Sequence, residues 1–551
     1  MVPATRCSTM PAMSSLLRAT LSISVATILS RITGYGRTMA MAAVLAGSLV
    51  ADAYGAAGLL PSLIYELFLG GILYSIFIPV LIERITNHGE DDARDLTNAL
   101  FTVILPLMAV VTLIGVLLAE PIIDVATRWE DSDSLSPAEA ERTMEMAVLF
   151  FRIFAIQMLF YGVNTLATGV LQAHRRFFLP TFAPVVNNLL VICSFVAYYL
   201  VADQNQTLGL YILAVGATAG LALMVLALVP TMLSLGYVPR PRFGHPALVP
   251  TMRLAGPMVI LVAASVGFQA FATFLASGFG AVAEIGYAFA IFSLPYGIFA
   301  VAISTALLPE LSERYSRGDT EGYRENFSLG LRAIAFVMVP ASVGTAALAE
   351  PIVGLLYERL EFGPQETQIV AAVLVAYAVG LVGYSAYFFM VRAFYSRQNT
   401  KTPAILNVAI FIVFVGFSYA LSRLLEAPGI ALALSASYTV LALASLWATR
   451  REIGNVDGRR LLVSLTKVLI SGAAMYATAR IGISLFGTGS DFVGRAIVLA
   501  SVGGLSVAVY LGVALILRAE ELGYVVSLIR RRIAGKAADN GANTEHPENR
   551  E

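Results

Sequence analysis

The sequence predicts an all-α membrane protein that crosses the bilayer about fourteen times, and three observations carry that expectation. Of 551 residues, 58% are hydrophobic and 13% charged, where a soluble domain carries about 25% charge. Apolar runs of about 20 residues recur from one end to the other, the length a helix needs to cross hydrocarbon with its backbone satisfied internally. Basic residues also concentrate in alternate loops, as they do when one set of loops is cytoplasmic.

Residues 1–15 read as a short polar N-terminal segment. Leu16 to Leu29 has the length of a signal-peptide core, but no small-residue cleavage site follows it. The chain runs on through Arg31 and Arg37 into further apolar sequence, so this stretch reads as the first span. Spans are expected near 16–46, 52–82, 97–119, 144–171, 181–201, 208–235, 251–278, 283–311, 328–348, 367–391, 403–422, 429–449, 461–485 and 492–517. Residues 534–551 form a polar tail rich in Asn and Glu, expected to be disordered.

Loops after even-numbered spans carry Arg84, Arg94, Arg175, Arg176, Arg240, Arg242, Arg314, Arg317, Arg324, Arg397, Lys401, Arg450, Arg451, Arg459 and Arg460. Loops after odd-numbered spans carry Arg128, Arg142, Arg359 and Arg423. Positive residues stay inside, which puts both termini in the cytoplasm. The acidic loop from Glu120 to Glu141 suits the outside.

An internal repeat supplies the architecture. Pro79-Val-Leu-Ile-Glu-Arg84 matches Pro309-Glu-Leu-Ser-Glu-Arg314 at the ends of spans 2 and 8. Six spans separate the copies, and an even number means a parallel pseudo-repeat. The expected domains are an N-lobe over 16–235, a C-lobe over 251–449 and two further helices over 461–517.

Composition excludes several functions. Net charge is zero, which argues against nucleic acid. Cys7 and Cys193 are far apart and the four histidines are unclustered, so neither a disulfide framework nor a metal centre is expected. No Gly-x-Ser-x-Gly, paired intramembrane histidines or phosphate-cradling loop appears, and no enzyme activity or cofactor is expected.

Arg31 and Arg37 are the sharpest candidates. Arg31 lies about 22 Å along a helix begun at Leu16, where an unpaired guanidinium costs about 2.5–3.5 kcal/mol on insertion scales. Gly34 and Gly36 lie between the two arginines and invite a kink or unwound turn that aims both inward. A guanidinium grips pyrophosphate bidentately. The plainer alternative is that Arg31 pairs with Asp52 or a backbone carbonyl and pins the hairpin of spans 1 and 2. Asp52 opens span 2 as a gate, a partner for Arg37, or a carboxylate answering its helix dipole. Glu66 is either the partner of an inward arginine or a protonatable coupling group, and Tyr65 reads more readily as packing than as a ligand. Asn187, Asn188 and Asn407 read as bonds between helices.

Several blocks together resemble the MurJ (MviN) lipid II flippase family of the multidrug/oligosaccharidyl-lipid/polysaccharide exporter superfamily. They are Ser30-Arg-Ile-Thr-Gly-Tyr-Gly-Arg37, Ala51-Asp-Ala53, Leu60-Pro-Ser62, Arg253-Leu-Ala-Gly-Pro257, and Phe394-Tyr-Ser-Arg-Gln398 leading to Lys401-Thr-Pro403. The resemblance covers about residues 20–450. It implies a two-lobed bacterial inner-membrane flippase with a central cavity, in which spans 13 and 14 line a groove for a polyprenyl tail. The implied substrate is undecaprenyl-pyrophosphate-linked peptidoglycan precursor, carried outward, and the candidate residues for binding it are Arg31, Arg37, Asp52, Tyr65 and Glu66. Membrane lipids and other cell-wall synthesis proteins are the remaining partners it implies. The chain departs from the family's pattern where two cavity arginines are usual, with Tyr65 and Ala290 in their places.

Two other readings stand beside this one. A cation-coupled multidrug-type exporter is disfavoured because span 7 has Gln269 but no acidic residue, and a transport-inactive cell-wall scaffold is kept alive by the missing arginines. The topology has a direct test. Membrane-impermeant thiol reagents should label a cysteine placed at Ser132 from outside the cell and miss one at Ser316; the reverse pattern inverts the assignment.

Overall fold

The computed structural model describes residues 10–66, 72–132, 135–489 and 491–522. Among them the regular structure is helical throughout, as expected of a chain whose backbone polar groups must be satisfied without water. The expected N-terminal segment lies largely outside the described residues, and the polar tail wholly so.

Each expected span falls on helix. Span 1 is α1 (Met10–Leu45), and span 2 falls on α2 (Leu49–Tyr65) and α3 (Ile72–His88). Span 3 is α4 (Glu90–Leu117), and the short α5 (Ala119–Ala126) follows it. Span 4 divides into α6 (Pro137–Ala155) and α7 (Gln157–Ala173). Then come α8 (Phe178–Val201), α9 (Gln206–Ser234) and α10 (Leu248–Ser277) for spans 5 to 7. Span 8 is α11 (Val282–Pro295) and α12 (Val301–Ser316), joined by a wider π turn at Tyr296–Ala300. Span 9 is α13 (Thr320–Ala347), followed by the short α14 (Ala349–Tyr357). α15 (Pro364–Val379) and α16 (Leu381–Ser396) make span 10, bent by 48° at Gly380. Spans 11 and 12 share α17 (Lys401–Ile453), α18 (Gly458–Phe486) is span 13, and α19 (Phe492–Val498) with α20 (Gly504–Ile516) is span 14.

Among the described residues, nine helices are long and apolar enough to cross a membrane, or ten with the bent pair taken as one span. The difference from fourteen is partly one of breaks. α17 enters once although Glu426 (φ 54°, ψ −132°) divides it into two arms. Pro428 cannot continue a helix with its own N–H, and Gly429 faces the Leu421 carbonyl so closely that a Cβ there would lie 2.1 Å from its oxygen. The break falls between residues 422 and 429, where the sequence ends one span and begins the next. α2 and α10 enter only as the shorter apolar stretches Leu49–Leu63 and Val266–Ser277.

The chain forms two compact units. The first comprises Met1–Ala290, Leu356–Val370 and Asn407–Ile430. Its core gathers Phe77, Leu81, Leu96, Leu100, Leu166, Val170 and Leu228 from α3, α4, α7 and α9. Gly169 meets the Phe77 ring so closely that an added Cβ would lie 2.5 Å from it.

The second unit comprises Ile291–Leu355, Ala371–Leu406 and Ala431–Glu551. Here α18 and α20 pack on α13 through Phe336, Val339, Val468, Met475 and Tyr510. The Tyr510 hydroxyl donates to the Phe336 carbonyl at 2.7 Å. A buried ionic cluster joins the same helices. Arg332 of α13 donates to Glu520 and Glu521 at 3.0 Å each, and Ser464 of α18 donates to Glu521 at 2.8 Å. Arg460 completes it with a 3.1 Å bond to Glu520, and the Arg460 and Arg332 guanidiniums hold the Glu520 carboxyl below its ordinary range.

Arg332 and Glu521 are 7% and 3% exposed, so removing one strands the other. Arg332→Ala is expected to cost about 3–5 kcal/mol, read as a lower unfolding midpoint in detergent. Pairing Arg332→Met with Glu521→Leu should recover most of that loss, because a buried ion pair does little better than matched apolar packing.

Candidate functional site

The first unit holds all five residues singled out from the sequence. α1 is helical through Gly34 and Gly36, and the expected kink is absent. The glycines serve packing instead. A Cβ at Gly34 would lie 3.5 Å from Asn188 and one at Gly36 3.6 Å from Ile192, so both seat α1 against α8. Asn188 fastens that seam, its amide donating to the Thr33 hydroxyl at 3.2 Å and the Ser30 carbonyl at 3.4 Å.

With the helix unbroken, Arg31 and Arg37 lie about 9 Å apart along its axis. Both side chains are exposed. Neither forms an ion pair among the described residues, so the alternative in which one of them pairs with Asp52 is absent. Arg37 is close enough to the Tyr54 and Tyr161 hydroxyls to act on them electrostatically. Tyr65 packs its ring on Tyr161 with centroids 4.4 Å apart, and Tyr54 packs among Phe150, Phe154 and Phe195. Arg37 therefore stands beside an aromatic seam built by α2, α6, α7 and α8, with Tyr65 at one end. Glu66 caps α2 and its side chain is exposed.

Asp52 faces elsewhere. Its own helix is capped by Ser48, whose hydroxyl accepts from the Ala51 amide, so Asp52 sits in a first turn that already favours negative charge. The carboxylate is 5% exposed and accepts from the Ala283 amide at 3.0 Å, with the Val282 amide also donating. Those amides open α11, and one carboxylate thus answers two helix N-termini.

Further contacts tie the same end of the unit. The Arg128 amide donates to the Ser277 hydroxyl at 2.7 Å and the Ser132 hydroxyl to the Gly278 carbonyl at 2.8 Å. The Glu361 amide donates to the Ala43 carbonyl at 3.1 Å, and the Tyr357 hydroxyl to the Tyr287 carbonyl at 3.2 Å. This is the end whose loops are poor in basic residues, and these bonds form a latch across it.

Sequence reasoning missed Tyr35 and Glu284. The Tyr35 hydroxyl, one turn beyond Arg31, donates to the Ala290 carbonyl. Glu284 lies 7% exposed beside Asp52 in the first turn of α11. A carboxylate at the start of an otherwise apolar span was the available signal. The described residues contain no group of His, Cys, Asp and Glu able to hold a metal. An apolar cavity of about 400 Å³ lined by Ala56, Leu59, Phe271, Phe274 and Phe411 is touched by none of the five predicted residues.

Comparison with known proteins bears on what this arrangement serves. The family model described as lipid II flippase MurJ matches residues 41–498. A lipid II flippase MurJ of Burkholderia cenocepacia is 28% identical over 428 residues, covering 76% of this chain and 81% of that one. A probable lipid II flippase MurJ of Vibrio cholerae is 27% identical over 510 residues, covering 91% and 96%. Among solved structures, a lipid II flippase MurJ in an inward closed conformation superposes with a TM-score of 0.72 at 21% identity, covering 90% of this chain and 98% of that one. An inward-facing multidrug resistance MATE transporter of the MOP superfamily gives 0.63 at 15% identity, covering 80% and 99%. The structural likenesses speak to the fold.

The Asp52 contact has a simple test. A side-chain cap is worth about 1 kcal/mol, so Asp52→Ala should raise amide exchange in the first turn of α11 about fivefold by mass spectrometry. Asp52→Asn should raise it less, since a neutral oxygen still accepts; equal protection in all three proteins would remove the capping role.

Proposed function

The chain belongs to the lipid II flippase MurJ family, and on that premise we propose that it carries lipid II across the membrane by alternating access. It is a multi-pass membrane transporter and not an enzyme. The substrate is a peptidoglycan precursor joined through pyrophosphate to an undecaprenyl tail, and it travels from the cytoplasmic to the outer leaflet. The observation that carries the reading is the pair Arg31 and Arg37, exposed and without carboxylate partners among the described residues, on the helix read as the first span. Two guanidiniums kept free in such a setting suit an anionic head group that must be masked during passage.

In this reading the basic loops face the cytoplasm, both termini lie inside, and the protein resides in the bacterial inner membrane. The lobes are residues 16–235 and 251–449, with the helices of 461–517 serving the polyprenyl tail. The latch through Asp52 then closes the outer end, consistent with a transporter waiting to load from the cytoplasm. Arg37 binds pyrophosphate beside Tyr161 and Tyr65, Arg31 supports it a turn and a half away, and Glu66 lies at the end of α2.

Tyr65 and Ala290, in place of the family's usual arginines, favour one second reading. Fewer cations leave more of the recognition to the glycan, so another polyprenyl-pyrophosphate-linked glycan is the alternative cargo. Depleting the protein separates the two by the lipid-linked precursor that accumulates on the cytoplasmic side. In cells that depend on this chain, Arg31→Ala should block export. Arg37→Lys should slow it roughly tenfold, since a hydrogen bond to a charged group is worth about 1.5–3 kcal/mol. Unchanged growth and export in both variants, with the protein folded and inserted, would make the arginines structural.

A further inference from the structure

Among the described residues, Glu284 is the one buried acid that the flippase reading leaves without a task. It stands in the first turn of α11 and is 7% exposed. Its Oε2 is fully buried and has no hydrogen-bond partner among the described residues. The titratable groups acting on it are Asp52 of α2, Glu366 of α15 and Tyr287 of α11, with Tyr357 of α14 beyond Tyr287. Glu366 presses against Gly47, where φ is +68° and an added Cβ would lie 2.8 Å from its Oε1. Arg359, the cation in that stretch, donates to the Leu356 carbonyl. No ion pair to Glu284 occurs among the described residues, and no cluster there could hold a metal in place of a cation.

Asp52 and Glu284 are not equivalent. Asp52 receives two backbone N–H donors at a helix N-terminus, which only an ionised acceptor uses fully. Glu284 accepts only from its own backbone N–H and leaves Oε2 buried with no partner among the described residues, beside that negative charge. Two carboxylates in one buried site do not both ionise, and the donors decide which one does.

We propose that Glu284 binds a proton when the latch is closed and releases it when α11 separates from Asp52. On separation, water reaches the carboxyl group, its O–H bond breaks, and the proton leaves to water, with carboxylate remaining. Closing the latch reverses each step. The closed form therefore holds one proton more than the open form, so the ratio of closed to open falls tenfold per unit rise in pH wherever only the closed form keeps it. With the orientation proposed above, the proton exchanges with the outer medium, and acidity outside favours the closed latch. The inference needs only the latch geometry, and its test uses no transport, so it stands or falls apart from the choice of cargo.

The test uses the full-length protein in lipid nanodiscs. Infrared spectroscopy of the wild type at neutral pH should show a protonated-carboxyl stretch that is absent in Glu284→Gln and retained in Glu366→Gln. Amide exchange in the first turn of α11 gives the second readout. The ratio of wild-type to Glu284→Gln exchange cancels the intrinsic chemistry and should rise by up to tenfold per pH unit. A wild type without a protonated carboxyl band overturns the proposal, and this holds even if the Gln variant does not fold. So does a band that Glu284→Gln retains, or an exchange ratio independent of pH.

Discussion

Charge in an apolar bundle needs an answer, and the placement of ionisable groups in this protein follows from that constraint. An ion moved into hydrocarbon must find an opposite charge, a helix terminus, a proton or water. Each solution occurs. Arg332 is matched by Glu520 and Glu521, Asp52 by the amides that open α11, and Arg31 and Arg37 by exposure. Arg397, 6% exposed, combines an ion pair to Glu452 with the faces of Tyr323 and Phe394.

The same constraint separates holding from working. The Arg332 cluster is closed on itself and fixes α18 and α20 to α13, which suits helices that must stay with one unit. The latch differs, being made mainly of single hydrogen bonds between helix ends and loops. Contacts of that kind each contribute about 1 kcal/mol net, so a few of them hold a conformation without making it permanent. An alternating-access transporter requires that balance.

Arg37 shows how a departure from a family pattern is accommodated. Where the resemblance implies a further arginine this chain has Tyr65, and that ring packs on Tyr161 beside Arg37. An aromatic surface, with hydroxyl groups, lies near the Arg37 guanidinium. At Ala290 the backbone carbonyl is taken by the Tyr35 hydroxyl. Tyr65 thus packs on α7, and Ala290 meets α1 through its carbonyl.

The sequence by itself determined the class of fold, the helical spans and the two arginines of the first expected span. These follow from local physics: a run of apolar residues long enough to cross hydrocarbon needs no knowledge of its neighbours, and a charge within such a run is conspicuous anywhere. Tertiary structure alone decided what Gly34, Gly36, Asp52 and Glu284 meet. The glycines suggested a kink and instead admit α8, because the absence of a side chain permits either and only the neighbouring helix selects. Asp52 meets Ala283, 231 residues away, and beside that meeting the Oε2 of Glu284 lies buried with no partner among the described residues. Such pairings depend on which helix ends the fold brings together, and hydrophobic patterning fixes the faces of helices far better than the partners of their ends.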